Sequence, residues 1–410
     1  MRRFSRILVP LACLACLGSC RFPEDPALSA RTIVIWEQED AAVAPFMDSV
    51  FEAFRALPGN ADVKVVRTHY NTEDLRQQFL TASIAGSPPD LVMGPSDSAG
   101  VYSVAGFILP VDGTFGLERY NKPVIEAVTL DGRVWGVPTS NGNHLMLFYN
   151  KRLSPEPPRT TDELLRFCAT TAKKLKLRHC MAFNLAEPFW LMPWLGAYGG
   201  WPIDNKTPTL DTQAMRDAVA FVVDLIHGKK YAPMECDYNC MDALFKEEEV
   251  AFVINGDWAI SSYQERFKAD LGAAKIPRHS GTGLWPTPMV SGKYFMLSSK
   301  LEAEKLELVK SLVEFYTNRE NQIAQVRELM RLPSLAEAAR AGEITGDPVL
   351  RASMDQILAG KPMPMATEMR AVWDAIRPPL GKAIILELTP EEAARKMQRD
   401  AAAKIEEMRD

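Results

Sequence analysis

The first hundred residues alternate in a way that few folds accommodate. Thr32-Ile-Val-Ile-Trp36 is a continuous apolar run, as expected of a strand covered on both faces. Pro45 to Leu57 follows with helical spacing of Phe46, Val50, Phe51 and Phe54, and Pro58-Gly59-Asn60 ends it. Val63 to Val66 reads as a second strand. Asn71 to Ala85 reads as a second helix with Leu75, Phe79, Leu80 and Ile84 inward. After the break at Gly86 to Pro89, Asp90 to Met93 reads as a third strand. This alternation with short connections predicts an open parallel sheet with right-handed crossovers. Ligands of such sheets sit beyond the carboxyl ends of the strands. The loops Glu37 to Asp40 and Gly94 to Ser98 are therefore the first candidate contacts.

A second α/β set follows. Val134 to Val137 and Leu145 to Tyr149 read as strands on either side of the polar stretch Thr139 to Asn143. Thr160-x-x-Glu163 is a capping box opening a helix through Leu164, Leu165 and Cys168. Phe221 to Ile226 is helical, Val250 to Ile254 a strand, and Asn255-Gly256-Asp257-Trp258 turns out of it. Tyr294 to Leu297 is a strand, Glu302 to Tyr316 an amphipathic helix, and Thr389-Pro390-x-Glu392 opens a charged C-terminal helix. At 410 residues, 47% of them hydrophobic, the chain has material for two or more domains with full cores. Its net charge of -5 gives no basic excess that would direct it to nucleic acid.

The N-terminus sets the expected compartment. Arg2, Arg3 and Arg6 precede the short apolar run Ile7 to Leu17, too short to span a bilayer comfortably. Leu17-Gly18-Ser19-Cys20 resembles a bacterial lipobox. It implies a signal peptide over 1–19 and a Cys20 that carries lipid, with 20–29 as a tether that holds the domains at a membrane surface. A plain secretory signal cleaved nearby is the alternative. The mature chain keeps Cys168, Cys180, Cys236 and Cys240, an even number in an exported protein. The expected disulfides are Cys168–Cys180 and Cys236–Cys240, each closing a local loop, against four buried thiols. The Cys-x3-Cys spacing, without a second pair or nearby His, does not suit zinc, and no metal or cofactor is expected.

Several segments, in order, resemble one family: bacterial extracellular solute-binding proteins of sugar ABC transporters, in the maltose/maltodextrin-binding branch. They are Leu147-Phe-Tyr-Asn-Lys151 with Pro157-Pro158; Phe183-Asn-Leu-Ala-Glu187-Pro188-Phe189; Gly199-Gly200; Phe221-Val-Val-Asp-Leu-Ile226; Phe252-Val-Ile-Asn-Gly256-Asp-Trp258; and Met363-Pro364 with Met369-Arg-Ala-Val-Trp373. The resemblance implies an α/β fold of two lobes, each an open sheet flanked by helices, joined by hinge crossovers. It places the N-terminal lobe at 30–141 plus 288–334 and the C-terminal lobe at 142–287 plus 335–410. Such a protein captures its ligand in the cleft between the lobes and delivers it, as a monomer, to the transmembrane subunits of a permease. It works in the bacterial cell envelope, on the periplasmic or extracellular face.

A sugar site needs flat aromatic platforms for C–H faces and fixed acceptors and donors for hydroxyls. The resemblance offers Trp258 and Trp373 as platforms, and Glu187 with Phe189 as acceptor and platform beside Trp190. In the first lobe the expected contacts are Asp40, Asp97 and Asn143, where the chain departs from the branch. An Asp-Lys pair there is Asp40-Ala41 here, and a Trp followed by Asp-Arg is Gly94-Pro-Ser-Asp97-Ser98. One platform and two cations are thus missing from that half, with Glu37, Glu39, His144 and Asn141 as candidate substitutes. Maltose, a maltodextrin, trehalose or a similar glucoside all fit this reading. Trp36, Trp194 and Trp201 are left to packing. The remaining enzyme reading is a glycoside hydrolase using Glu187 and Asp257. The third reading is the same clamp around a non-sugar solute.

Overall fold

The structure is a computed structural model that describes residues 30–408 apart from Asn205. The signal segment, Cys20 and the tether lie outside the described residues. The first sheet is built as the alternation predicts. Strand Thr32–Glu37 pairs in parallel with Lys64–His69 on one side and Leu91–Gly94 on the other. A ten-residue strand from far along the chain, Met289–Ser298, then pairs antiparallel with Leu91–Gly94, so the sheet is mixed. Side chains alternate across it with the period of two that a strand imposes. Ile33, Ile35, Leu91, Met93, Phe295 and Leu297 enter one apolar cluster, and Val92, Tyr294 and Met296 enter another on the opposite face.

The second sheet has the order Leu271–Ala274, Leu145–Asn150, Phe252–Gly256, Met181–Phe183. Its core draws residues from Leu145 to Met289 and again from Val349 to Ala401, whereas the first large core draws from Ile33 to Val137 and from Phe295 to Ala338. The chain therefore builds two lobes and returns to each. At the first crossing, strand Val137–Gly142 lies against Met289–Ser298 in the first sheet, and Leu145–Asn150 lies in the second. Only Asn143 and His144 separate them. Gly142 has φ +138°, and a Cβ there would stand 1.9 Å from Asp257 Oδ2. The crossing thus demands glycine on both backbone and steric grounds. A neighbouring crossing runs beside it, with the Asn141 N–H donating to the Leu332 carbonyl at 2.9 Å.

Local details separate what short-range pattern encodes from what it misses. Thr389 and Glu392 form both bonds of the capping box. At Thr160 only one forms, because the Glu163 carboxylate accepts the Arg159 N–H at 2.7 Å instead. Ile84, expected inward, is 77% exposed in the last turn of the helix Thr72–Ala85, where the apolar stripe has rotated off the sheet. The stretch after the third strand is not a loop throughout, since Ser96–Val104 is a helix with Asp97 in its first turn. Cys168 is joined to Cys180 and Cys236 to Cys240, with Cα separations of 5.3 and 5.2 Å. Trp194 is fully buried, Trp36 packs on Tyr70 with ring centroids 5.1 Å apart, and Trp201 is half-buried against the second core. No helix among the described residues is long and apolar enough to cross a membrane.

Candidate functional site

Between the lobes lies a cavity of about 540 Å³ whose lining comes from both, within the usual range for small-molecule sites. One wall is aromatic. Phe189 stands 6.3 Å from Trp258 and 6.4 Å from Trp373, centroid to centroid, and all three line the cavity. The segment Pro188–Leu191 is a short helical turn that brings both Phe189 and Trp190 to the cavity. Trp190 is 6% exposed and donates its Nε1–H to the Ile254 carbonyl at 2.9 Å. It sits edge-on to Phe189 and Trp258, so it braces the wall that it also lines.

The helix Glu368–Ile384 explains why Trp373 faces the cleft. Arg370, Trp373, Asp374 and Arg377 fall at i, i+3, i+4 and i+7, one face of a helix. Arg377 Nη2 bonds Glu187 Oε2 at 2.9 Å, and Arg370 bonds both Glu73 in the other lobe and Asp374 beneath it. On the first-lobe side Arg76 pairs with Glu73 and Asp97, each at 3.1 Å. A continuous run of ion pairs therefore joins Asp97 to Glu187 through Arg76, Glu73, Arg370, Asp374 and Arg377. Asp97 Oδ1 is buried without a partner, as is Glu39 Oε1. Both belong to cavity-lining residues. Unsatisfied buried acceptors cost free energy until a donor arrives.

The loop after the first strand delivers Glu39 and Asp40. Glu39 is buried and paired with Arg331. Burial alone would raise its carboxyl, but Arg331 and Lys293 outweigh that and hold it below the ordinary value. Asp40 lines the cavity, its carboxylate has no hydrogen-bond or ion-pair partner among the described residues, and desolvation by the surrounding protein raises its pKa. Close by, burial and then the Asp40 charge push the Tyr238 hydroxyl up to about 12, which keeps it a donor. Asn143 also lines the cavity, its backbone held by an N–H bond to Asp257 Oδ2 at 3.2 Å.

Three expectations fail on geometry. Asp257 is not in the cavity wall. It is 7% exposed, and its two oxygens accept the N–H groups of Asn143 and His144 at 3.2 Å each. It clamps the hinge crossing, so the pair Glu187 and Asp257 cannot flank a glycosidic bond. His144 is sealed and Glu37 is spent on Arg67 and His69, so neither replaces a missing contact. The cleft is also not poor in cations, because Arg76, Lys293, Arg331, Arg370 and Arg377 line it. Three of these were visible only as charges on unrelated segments. The spacing Arg370, Asp374, Arg377 was the one local signal that a charged helix face accompanied Trp373. No cluster of His, Cys, Asp and Glu fit to hold a metal occurs among the described residues.

Residues 42–352 match the family model described as bacterial extracellular solute-binding protein. The maltotriose-binding protein of Pyrococcus abyssi is 25% identical over 353 residues, covering 84% of this chain and 76% of its own. The galactooligosaccharide-binding protein of Bacillus subtilis is 23% identical, covering 83% and 82%. Among solved structures, the maltose/maltodextrin-binding domain of Bdellovibrio bacteriovorus bound to maltotriose superposes with TM-score 0.84 at 33% identity. That match covers 92% of this chain and all of the other. Two discontinuous lobes, a cleft lined by both, and a match spanning most of the length agree: the chain belongs to the bacterial extracellular solute-binding protein family, in the branch that resembles maltodextrin-binding proteins of sugar importers.

Proposed function

We propose that the protein binds a neutral oligosaccharide of the maltodextrin type in this cleft and serves an ABC importer. The observation that carries the reading is the charge balance beside the aromatic wall. Five carboxylates (Glu39, Asp40, Glu73, Asp97, Glu187) face five cations (Arg76, Lys293, Arg331, Arg370, Arg377). A site with no net charge, rich in fixed polar atoms and floored by rings, suits an uncharged polyol ring better than an anion or an amine. Phe189, Trp258 and Trp373 are the platforms. Asp40, Asp97, Glu187 and Asn143 accept or donate to hydroxyls, and Lys293 and Tyr238 supply donors that the first-lobe loops lack. The lobes divide near 30–141 plus 288–334 and 142–287 plus 335–410, with Leu335 and Ala338 still packed in the first core, and hinge closure around the sugar is what the permease reads. Cys20 anchors the mature monomer by lipid at the outer face of a membrane.

The test is isothermal calorimetry with maltose, maltotriose, trehalose, a galactooligosaccharide, sulfate and spermidine. Saturable binding of a glucoside with none for the anion and the amine is expected. Binding of sulfate or spermidine with no response to any sugar defeats the proposal.

A further inference from the structure

The two disulfides differ in what they can do for the protein. Cys168 and Cys180 are both buried in the second core, lie 12 apart in sequence, and do not line the cavity. Cys236 and Cys240 are only 4 apart. So short a loop removes less chain entropy from the unfolded state than the longer one. Its main consequence is local, and the residue it encloses is Tyr238.

Tyr238 opens the helix Tyr238–Lys246 and lines the inter-lobe cavity. Met241, Leu244 and Phe245 are the buried face of that helix. Tyr238 stands at i to Met241 at i+3 and Phe245 at i+7, so it continues this face to the point where the core gives way to the cleft. Its ring meets Trp190 edge-on, 6.4 Å between centroids. Residues 229–237 before it form neither helix nor strand. The first N–H groups of a helix have no acceptor within it. Here Asp237 caps the turn by accepting the Cys240 N–H at 2.8 Å. Cys236 is held in the second core and Cys240 packs against it, so the bond between them closes the first turn around Tyr238.

Resting on the proposed function, we propose that the Cys236–Cys240 disulfide is a positioning group for sugar binding. It holds Tyr238 where its ring and hydroxyl meet the ligand. With the bond intact, little ordering entropy is lost at Tyr238 when the sugar arrives. With the bond absent, the first turn frays and only a fraction of the molecules present Tyr238 to the cleft, which lowers the apparent affinity by that fraction.

The experiment is calorimetry with maltotriose on the wild type, the double variant Cys236→Ala with Cys240→Ala, Tyr238→Ala, and the triple combination, with thermal melting as the folding check. Removing the disulfide weakens binding by about two- to tenfold, the worth of one net hydrogen bond. Tyr238→Ala weakens it at least as much, and losing the disulfide in that background costs nothing further. If the double variant does not melt cooperatively, the wild type is instead treated with dithiothreitol until two thiols appear, mapped to Cys236 and Cys240 by alkylation. The same loss is then expected, reversed on reoxidation. Wild-type affinity without the bond overturns the proposal, and so does an equal further loss in the Tyr238→Ala background, which would place the effect elsewhere. Both leave the sugar reading standing. No binding of maltotriose by the wild type removes that reading, and the positioning role with it.

Discussion

Arg370 Nη1 lies 2.8 Å from one carboxylate oxygen of Glu73 and 3.0 Å from the other, and so ties the helix Glu368–Ile384 to the helix Thr72–Ala85 across the mouth of the cleft. It is the one direct link between the lobes in the run of ion pairs from Asp97 to Glu187. The lobes are thus already in contact through two residues that line the cavity.

The partners are partly exposed, 31% and 47% by side chain, so salt screens them and the pair is worth about 0.2–1 kcal/mol. Glu73→Gln and Arg370→Gln should each shift the unliganded protein toward a more open form by a few-fold. Small-angle scattering of the sugar-free protein should show a larger radius of gyration in the variants, and in the wild type at high salt. Unchanged scattering in both conditions would show that the pair does not hold the lobes together.

The aromatic wall divides into platforms and a brace. Trp258→Ala and Trp373→Ala should each weaken sugar binding by about 0.5–1.5 kcal/mol, the value of a lost ring contact. Trp190→Ala should instead lower stability by about 3–5 kcal/mol, as for other large core truncations. Calorimetry and urea denaturation separate the two effects. Wild-type affinity in both platform variants would remove Trp258 and Trp373 from the site.

Asp40 gives a pH dependence with a definite sign. Its pKa is raised by desolvation, and only the ionised form has full acceptor capacity. Sugar affinity should therefore fall on acidification through that raised pKa, at a higher pH than an ordinary aspartate would set. In Asp40→Asn the affinity is lower at neutral pH and this limb of the profile disappears. A profile identical to wild type would exclude Asp40 as the titrating contact.

The hinge tolerates no side chain at Gly142. With φ at +138° and Asp257 Oδ2 only 1.9 Å from where a Cβ would stand, Gly142→Ala must displace the carboxylate that holds Asn143 and His144. A loss of at least about 1 kcal/mol is expected, with weaker sugar binding because the lobes no longer meet in register. Full stability with wild-type affinity would show that the crossing adapts freely.

The sequence by itself determined the elements and the class of fold. Continuous apolar runs and 3.6-residue spacing are local consequences of burial, so the strands at 32–37 and 91–94 and the helices between them are legible from residues a few positions apart. The aromatic wall was legible too, because Phe189, Trp258 and Trp373 sit in short motifs. Only the tertiary structure decided which charges meet. Lys293 and Arg331 reach Asp40 and Glu39 from strands and crossings some 250 to 290 residues away, and Glu73 meets Arg370 from the opposite lobe. It also took Asp257 out of the cleft and made it the clamp of the hinge. Electrostatic pairing depends on distance in space, and chain position says little about that distance once two discontinuous lobes fold over one another.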